Sequence, residues 1–116
     1  MKIISLVPSI TETLFFFVLT ENEVIGRTKF CIHPENEVKN VAVIGGTKNL
    51  NIEKIISLNP DLIIANKEEN EKLQVEELQK NFKVWVTDIQ NLEDNEKFIS
   101  EVGLLLNKEK LAMELN

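Results

Sequence analysis

The first apolar cluster, Ile3, Ile4, Leu6 and Val7 with only Ser5 between them, has the nearly unbroken character of a strand buried on both faces. Pro8 ends it. Ser9-Ile10-Thr11-Glu12 follows with the S-x-x-E form of a capping box, which predicts Ser9 as N-cap of a helix running through the apolar stretch Leu14 to Leu19. Phe15, Phe16 and Phe17 cover most of a helix circumference, so this helix is expected to be buried on more than one side. Val24-Ile25-Gly26 reads as a second strand. Val41 to Ile44 reads as a third, stopped by Gly45-Gly46. Between them, Arg27 to Asn40 follows neither period and holds Pro34, which predicts an ordered loop with a turn or two of helix.

Farther along, Ile52, Ile55, Ile56 and Leu58 approximate a helical face, with Asn49 or Asn51 able to cap it. Asn59-Pro60 stops that helix, because the residue before proline avoids the α region. Leu62 to Ala65 and Lys83 to Val86 read as the fourth and fifth strands, the latter carrying Trp85 as a core residue. Glu69 to Lys80, between them, is rich in helix formers, with Leu73 and Leu78 expected inward. A helix resumes near Leu92 with Phe98, Ile99, Val102, Leu105 and Leu106 inward, and Asn107 marks a break. Lys108 to Asn116 opens another helix whose Leu111, Met113 and Leu115 have nothing left to pack against. The chain is therefore expected to be part of a longer protein.

Strands alternating with helices predict an α/β domain: a parallel sheet with helices on its faces. Ligands of such sheets meet the loops at the carboxyl ends of the strands. Five segments are expected there: Pro8 to Glu12, Arg27 to Pro34, Gly45 to Asn49, Asn66 to Asn70 and Thr87 to Asn91.

Composition narrows the chemistry. A chain of 116 residues, 43% hydrophobic and 28% charged, fits one globular domain. Its net charge of −6 argues against nucleic acid, whose binding rests on neutralising phosphates, and against a polybasic membrane contact. Cys31 is the single cysteine, so no intrachain disulfide forms, and with one histidine, His33, little remains for a zinc site of the usual kind. The longest apolar run falls far short of the about 20 residues needed to span a bilayer. Lys2 and the apolar residues after it only faintly mimic a signal peptide, because Pro8, Ser9, Thr11 and Glu12 interrupt them.

Each candidate site has a plain structural reading beside the functional one. Gly45-Gly46-Thr47-Lys48-Asn49 suits either a tight turn or an anion-contacting one, since glycines free backbone N–H groups and Lys48 adds charge. It is neither a P-loop nor a dinucleotide fingerprint. Ser9 stands on a strand-to-helix turn, but G-x-S-x-G is absent, and capping is the better reading than nucleophile. Cys31 and His33, two apart, point the same way in an extended loop and are able to share a metal, yet two ligands alone make a weak site. In the polar run Asn66-Lys67-Glu68-Glu69-Asn70, Glu68 and Glu69 suit the first turn of a helix, which is compatible with ligand contact. Glu53 likewise suits the first turn of its helix. No carboxylate pair is placed for acid–base work, so no catalytic residue is assigned.

These same motifs carry a resemblance. Ile4-Ser5-Leu6-Val7-Pro8-Ser9-Ile10-Thr11-Glu12 resembles the opening of class III substrate-binding proteins of ABC transporters, the helical-backbone metal receptors that include cobalamin and iron–siderophore binders. The likeness continues through Val24-Ile25-Gly26-Arg27-Thr28, Gly45-Gly46-Thr47-Lys48-Asn49, Ile52-Glu53-Lys54-Ile55, Leu58-Asn59-Pro60-Asp61-Leu62-Ile63-Ile64-Ala65 and Asn66-Lys67-Glu68-Glu69-Asn70. The resemblance implies a Rossmann-like, three-layer lobe of the periplasmic-binding-protein fold over residues 1–107, with 108–116 opening the helix that joins it to a second lobe. A metal-bearing small molecule, cobalamin-like or an iron–siderophore, is then held between the lobes, with no cofactor and no catalysis.

The resemblance further implies that Pro8, Ser9, Thr11, Glu12, Phe30, Gly46, Thr47, Lys48, Asn66 and Lys67 face the ligand. Phe30 keeps an aromatic, whereas Thr47 and Asn66 stand where cobalamin binders carry tryptophans, which leaves a more polar ligand open. Glu53 matches the acidic residue that docks onto arginines of the permease. The family acts outside the cytoplasmic membrane. The rival expectation is a cytoplasmic α/β enzyme or cofactor-handling protein using the Gly45-Gly46 turn with Cys31 and His33. A third is self-association of an isolated lobe through its uncovered cleft.

Overall fold

Alternate residues of the same strands feed two separate hydrophobic cores, one on each side of a parallel sheet. The computed structural model describes residues 2–16, 24–30 and 39–105. Strands β1 (Ile3–Ser5), β2 (Val24–Arg27), β3 (Ala42–Val43), β6 (Leu62–Asn66) and β7 (Val84–Thr87) form a five-stranded sheet in the order β3-β2-β1-β6-β7, with every pairing parallel. Ile3, Leu62 and Ile64 point to one side, where they meet Ile10 and Leu14 of helix α1 (Pro8–Phe16) and Phe98, Ile99 and Val102 of helix α4 (Leu92–Leu105). Ile4, Ile63 and Ala65 point to the other side, against Ile55 of helix α2 (Ile52–Leu58) and Val75 and Leu78 of helix α3 (Lys72–Gln79). This is the expected three-layer α/β lobe, and its central strands read as continuous apolar runs because both faces are covered.

Several local expectations are corrected. Helix α1 begins at Pro8, not after Ser9: proline at the first helical position gives up an N–H that has no helical partner anyway. The Thr11 N–H closes the first turn on the Val7 carbonyl at 3.1 Å. Ser9 therefore lies inside the helix, exposed, and is not its cap. Helix α3 begins at Lys72 and not at Glu69. Glu71 caps it, its carboxylate accepting from the Leu73 and Gln74 N–H groups at 3.1 and 3.3 Å. Glu68 and Glu69 precede the helix, in a turn where the Glu69 and Asn70 N–H groups both donate to the Asn66 carbonyl. With that start, Val75 and Leu78 face inward and Leu73 is 72% exposed.

Leu105 also turns outward, and Ile56 lies on the exposed side of α2. Of the two candidate caps for α2, Asn51 serves, accepting from the Lys54 N–H at 3.1 Å, and Asn59 closes the other end in the left-handed region (φ 49°). Trp85 is partly buried against Phe98, with ring centroids 5.2 Å apart.

Gly45-Gly46 does more than end a strand. Strands β4 (Gly45–Gly46) and β5 (Asn49–Leu50) form a small antiparallel hairpin around Thr47 and Lys48. Gly45 has φ +109°, and a Cβ there would stand 2.5 Å from the Asn49 carbonyl oxygen, so this turn requires glycine. Cys31, His33 and Pro34, Phe17 to Leu19, Leu106, Asn107 and the 108–116 segment lie outside the described residues. No helix among the described residues is long and apolar enough to cross a membrane.

Candidate functional site

A parallel sheet places all its strand ends on one edge, so the described parts of the expected segments meet there. The end of β1 leads into Pro8, the end of β2 into Lys29 and Phe30, the hairpin follows β3, and β6 and β7 end at Asn66 and Thr87. Hydrogen bonds then tie the segments to each other. The Lys29 N–H donates to the Gly45 carbonyl at 2.8 Å and the Lys67 N–H to the Thr87 carbonyl at 2.8 Å. Lys48 reaches across from the hairpin, its ammonium donating to the Glu68 carbonyl at 2.8 Å. Leu50 of the hairpin donates its N–H to Gln74 Oε1 of α3 at 3.2 Å.

Two asparagines occupy the corner after β6. The Asn70 carboxamide donates to the Leu6 carbonyl at 3.1 Å and to the Thr47 carbonyl at 2.9 Å, while its oxygen accepts from the Asn66 N–H at 2.9 Å. The Asn66 oxygen accepts from Thr87 Oγ1 at 3.1 Å and from the Ile89 N–H at 2.9 Å, and its amide donates to Glu69 Oε2 at 3.4 Å. Thr87 Oγ1 lies 2.7 Å from the Ala65 carbonyl as well. Among the described residues, no buried side-chain nitrogen or oxygen lacks a partner. A buried polar network of this kind holds only because its members are satisfied.

The sequence-predicted residues divide by exposure. Ser9, Glu12, Phe30, Lys48 and Lys67 are exposed, while Pro8 and Thr47 are half-buried. Phe30 is 54% exposed, an unusual position for a phenylalanine, and the Lys29 ammonium sits 5.2 Å from its ring centroid. Gly46 is buried beside them: a Cβ there would stand 3.5 Å from both Lys29 and Phe30 side chains. Thr11 and Asn66 are buried, with their polar atoms used inside the lobe. Thr11 Oγ1 lies 2.8 Å from Ser5 Oγ and 3.2 Å from the Val7 carbonyl. Glu53 is exposed on the first turn of α2, which starts directly from the hairpin and so from this same edge.

Two of the open grooves among the described residues flank the edge strand β7. One, of about 550 Å³, adjoins the corner between Lys67, Lys72, Val75, Gln79 and Val86. The other, of about 250 Å³, lies beside Trp85, Thr87, Asp94 and Phe98. No group of three or more His, Cys, Asp or Glu among the described residues is placed to hold a metal ion. What the arrangement offers is a rim: exposed Phe30, with Lys29, Lys48 and Lys67, on a hydrogen-bonded base. Reading the sequence missed the hairpin and the linking roles of Asn70 and Thr87. The visible signal was an asparagine closing a polar run between a buried strand and a helix.

Comparison with known proteins shows the family to which this fold belongs. The sequence model of a family described as "Periplasmic binding protein" matches residues 3–116. An uncharacterised ABC transporter substrate-binding lipoprotein of Bacillus subtilis is 45% identical over 65 residues, 56% of this chain and 20% of that protein. A vitamin B12-binding protein of Vibrio vulnificus is 33% identical over 94 residues, 80% of this chain and 34% of that protein. Among solved structures, a possible iron-binding (periplasmic solute-binding) protein of Staphylococcus epidermidis superposes with a TM-score of 0.84 at 30% identity, over 98% of this chain and 45% of that one. The matches thus span 20% and 34% of the length of these curated relatives.

Proposed function

Because this chain belongs to the periplasmic binding protein family, we propose that it forms the N-terminal, ligand-receiving lobe of an ABC importer's substrate-binding protein. In this reading residues 1–107 are the lobe and 108–116 open the helix toward a second one. The ligand is a metal-bearing small molecule, as the vitamin B12 and iron named for the relatives suggest. Binding and delivery, not bond making, are the function. The protein works outside the cytoplasmic membrane, a reading supported by the names of one relative, a lipoprotein, and of another, a periplasmic solute-binding protein.

The observation that carries this reading is the exposed Phe30 beside Gly46, on the edge where the strand-end loops converge. In this reading the open ring offers a face for stacking while the polar base supplies orientation. Thr11 and Asn66 support that base from inside. Ligand contact falls to Pro8, Ser9, Glu12, Phe30, Gly46, Thr47, Lys48 and Lys67. With lysines and a threonine around a single aromatic, the rim suits a polar chelate better than a large flat ring. Glu53, exposed near the same edge, is the docking contact for basic residues of the permease.

The test is a calorimetric titration of the full-length protein with cyanocobalamin and with ferrioxamine B. Micromolar or tighter binding of either, lost on Phe30→Ala, supports the reading. Binding that survives Phe30→Ala removes Phe30 from the ligand contacts, whereas a metal-dependent turnover lost when Cys31 and His33 are both replaced by alanine overturns the reading in favour of an enzyme.

A further inference from the structure

The Asn70 carboxamide stands among three segments that the chain brings together from far apart. It bonds the Leu6 carbonyl at the end of β1, the Thr47 carbonyl in the hairpin turn, and the Asn66 N–H at the end of β6. Each of these segments adjoins residues placed at the ligand rim: Pro8 and Ser9 after Leu6, Gly46 and Lys48 around Thr47, and Lys67 after Asn66. The side chain is itself 3% exposed. It therefore sits under the rim, where it fixes the loops without presenting a surface of its own.

The geometry points to Asn70 as the positioning residue of the ligand edge: one carboxamide sets the spacing of the three loops, and through it the affinity for ligand. This rests on the proposed binding reading for its consequence, but the positioning itself is a property of the loops alone. The chemistry demands a carboxamide at this place. Two carbonyl oxygens on separate loops need two N–H donors from one side chain, and a backbone N–H needs an acceptor from the same group. Aspartate has nearly the same shape and keeps the acceptor. It has no donor, and it would set a carboxylate oxygen against two carbonyl oxygens, which pushes both loops away. The remaining ties between hairpin and corner, Lys48 to the Glu68 carbonyl and the Leu50 N–H to Gln74, keep the hairpin attached but do not bind it to β1.

The experiment is amide hydrogen exchange on the full-length protein as wild type, Asn70→Asp and Asn70→Ala. In N70D, exchange across residues 45–50 and 7–11 accelerates about tenfold or more, as loss of two hydrogen bonds requires, while the β6 and β7 amides keep wild-type rates. In N70A the 66–70 corner accelerates too, because the acceptor for the Asn66 N–H is gone. Uniform acceleration through the sheet, or unchanged exchange at 45–50, overturns the proposal. N70A carries the same decision should N70D fail to fold.

Titration with cyanocobalamin and ferrioxamine B separates this from the binding reading. A probe that binds wild type binds N70D at least about tenfold more weakly, whereas Val102→Ala, which weakens the core of α4 away from the edge, leaves affinity unchanged. Equal affinity in N70D and wild type sinks the positioning role and leaves the binding reading standing. Failure of both probes to bind wild type sinks the reading of the ligand, and the exchange pattern still decides the role of Asn70.

Discussion

The interior of the sheet and its carboxyl edge are made from the same strands by opposite chemistry. Inside, Ile3, Ile4, Ile63 and Ile64 are almost wholly buried in two hydrophobic cores. At the strand ends and in the turn after β6, burial continues but the groups become polar: Asn66, Asn70 and Thr87 are as enclosed as many core residues and are held by directed hydrogen bonds. The interior is non-directional, and its stability follows buried area. The edge is directional, and what it provides is placement. A lobe that binds through loops needs the second kind of order only where the loops meet.

The largest effect should come from the interior. Ile64 is fully buried between β1 and β7 and contributes to the core under α1 and α4. Replacing it with alanine should cost about 3–5 kcal/mol by lost transfer energy and cavity formation, read as a shift in the urea midpoint. Ligand affinity in the fraction that remains folded should not change. A loss of affinity there would break the comparison, because it would mean that the core also sets loop positions.

Gly45→Ala follows in size and acts at the boundary. The positive φ and the 2.5 Å approach of a Cβ to the Asn49 carbonyl leave no unstrained place for a side chain. A stability loss of about 2 kcal/mol is expected from backbone strain alone, with the hairpin the first element to open in hydrogen exchange. Asn51→Ala removes the cap of α2, one N–H bond at 3.1 Å, and should cost about 1 kcal/mol in the same denaturation assay.

These two regions were also unequally legible from the chain. Strand positions and the two-sided burial followed from runs such as Leu62 to Ala65, because hydrophobic pattern is a local property. The edge as a place was legible too, since parallel strands share an end. Its wiring was not. That Asn70 bonds a carbonyl 64 residues away is a consequence of strand order, which no spacing along the chain encodes. Ser9 shows the same limit at short range: S-x-x-E is a sound capping signal, but Pro8 satisfied the requirement of the first turn one residue earlier. Leu73 was misplaced because the turn at Asn66 used residues that helix propensity alone assigned to α3.

Phe30→Ala reverses the signature of the core variant. With half its surface already in water, the ring contributes little to folding, so the denaturation midpoint should hardly move. Affinity for whichever metal-bearing probe binds wild type should fall about tenfold or more, consistent with loss of one stacked aromatic anchor. Titration and melting on the same preparation check both halves. A clear loss of stability with intact affinity would show Phe30 to be part of the lobe's packing, and the distinction between ordered base and recognition rim would need redrawing.

The smallest effect on the lobe itself is expected from Glu53→Lys. Glu53 is exposed on the first turn of α2, and charge reversal there replaces a favourable interaction with the helix N-terminus by an unfavourable one, at a cost of about 0.5 kcal/mol at a solvated site. Stability should therefore fall only slightly, and ligand affinity should match wild type. What should change is the third property, coupling: uptake of ligand by cells or vesicles carrying the permease should fall while binding in solution does not, because an acidic contact for a basic partner has become repulsive. The dissociation of these readouts is the content of the prediction. If uptake and affinity fall together, Glu53 belongs to the binding rim. If neither falls, the carboxylate serves only its helix, and the proposed docking role of Glu53 is lost.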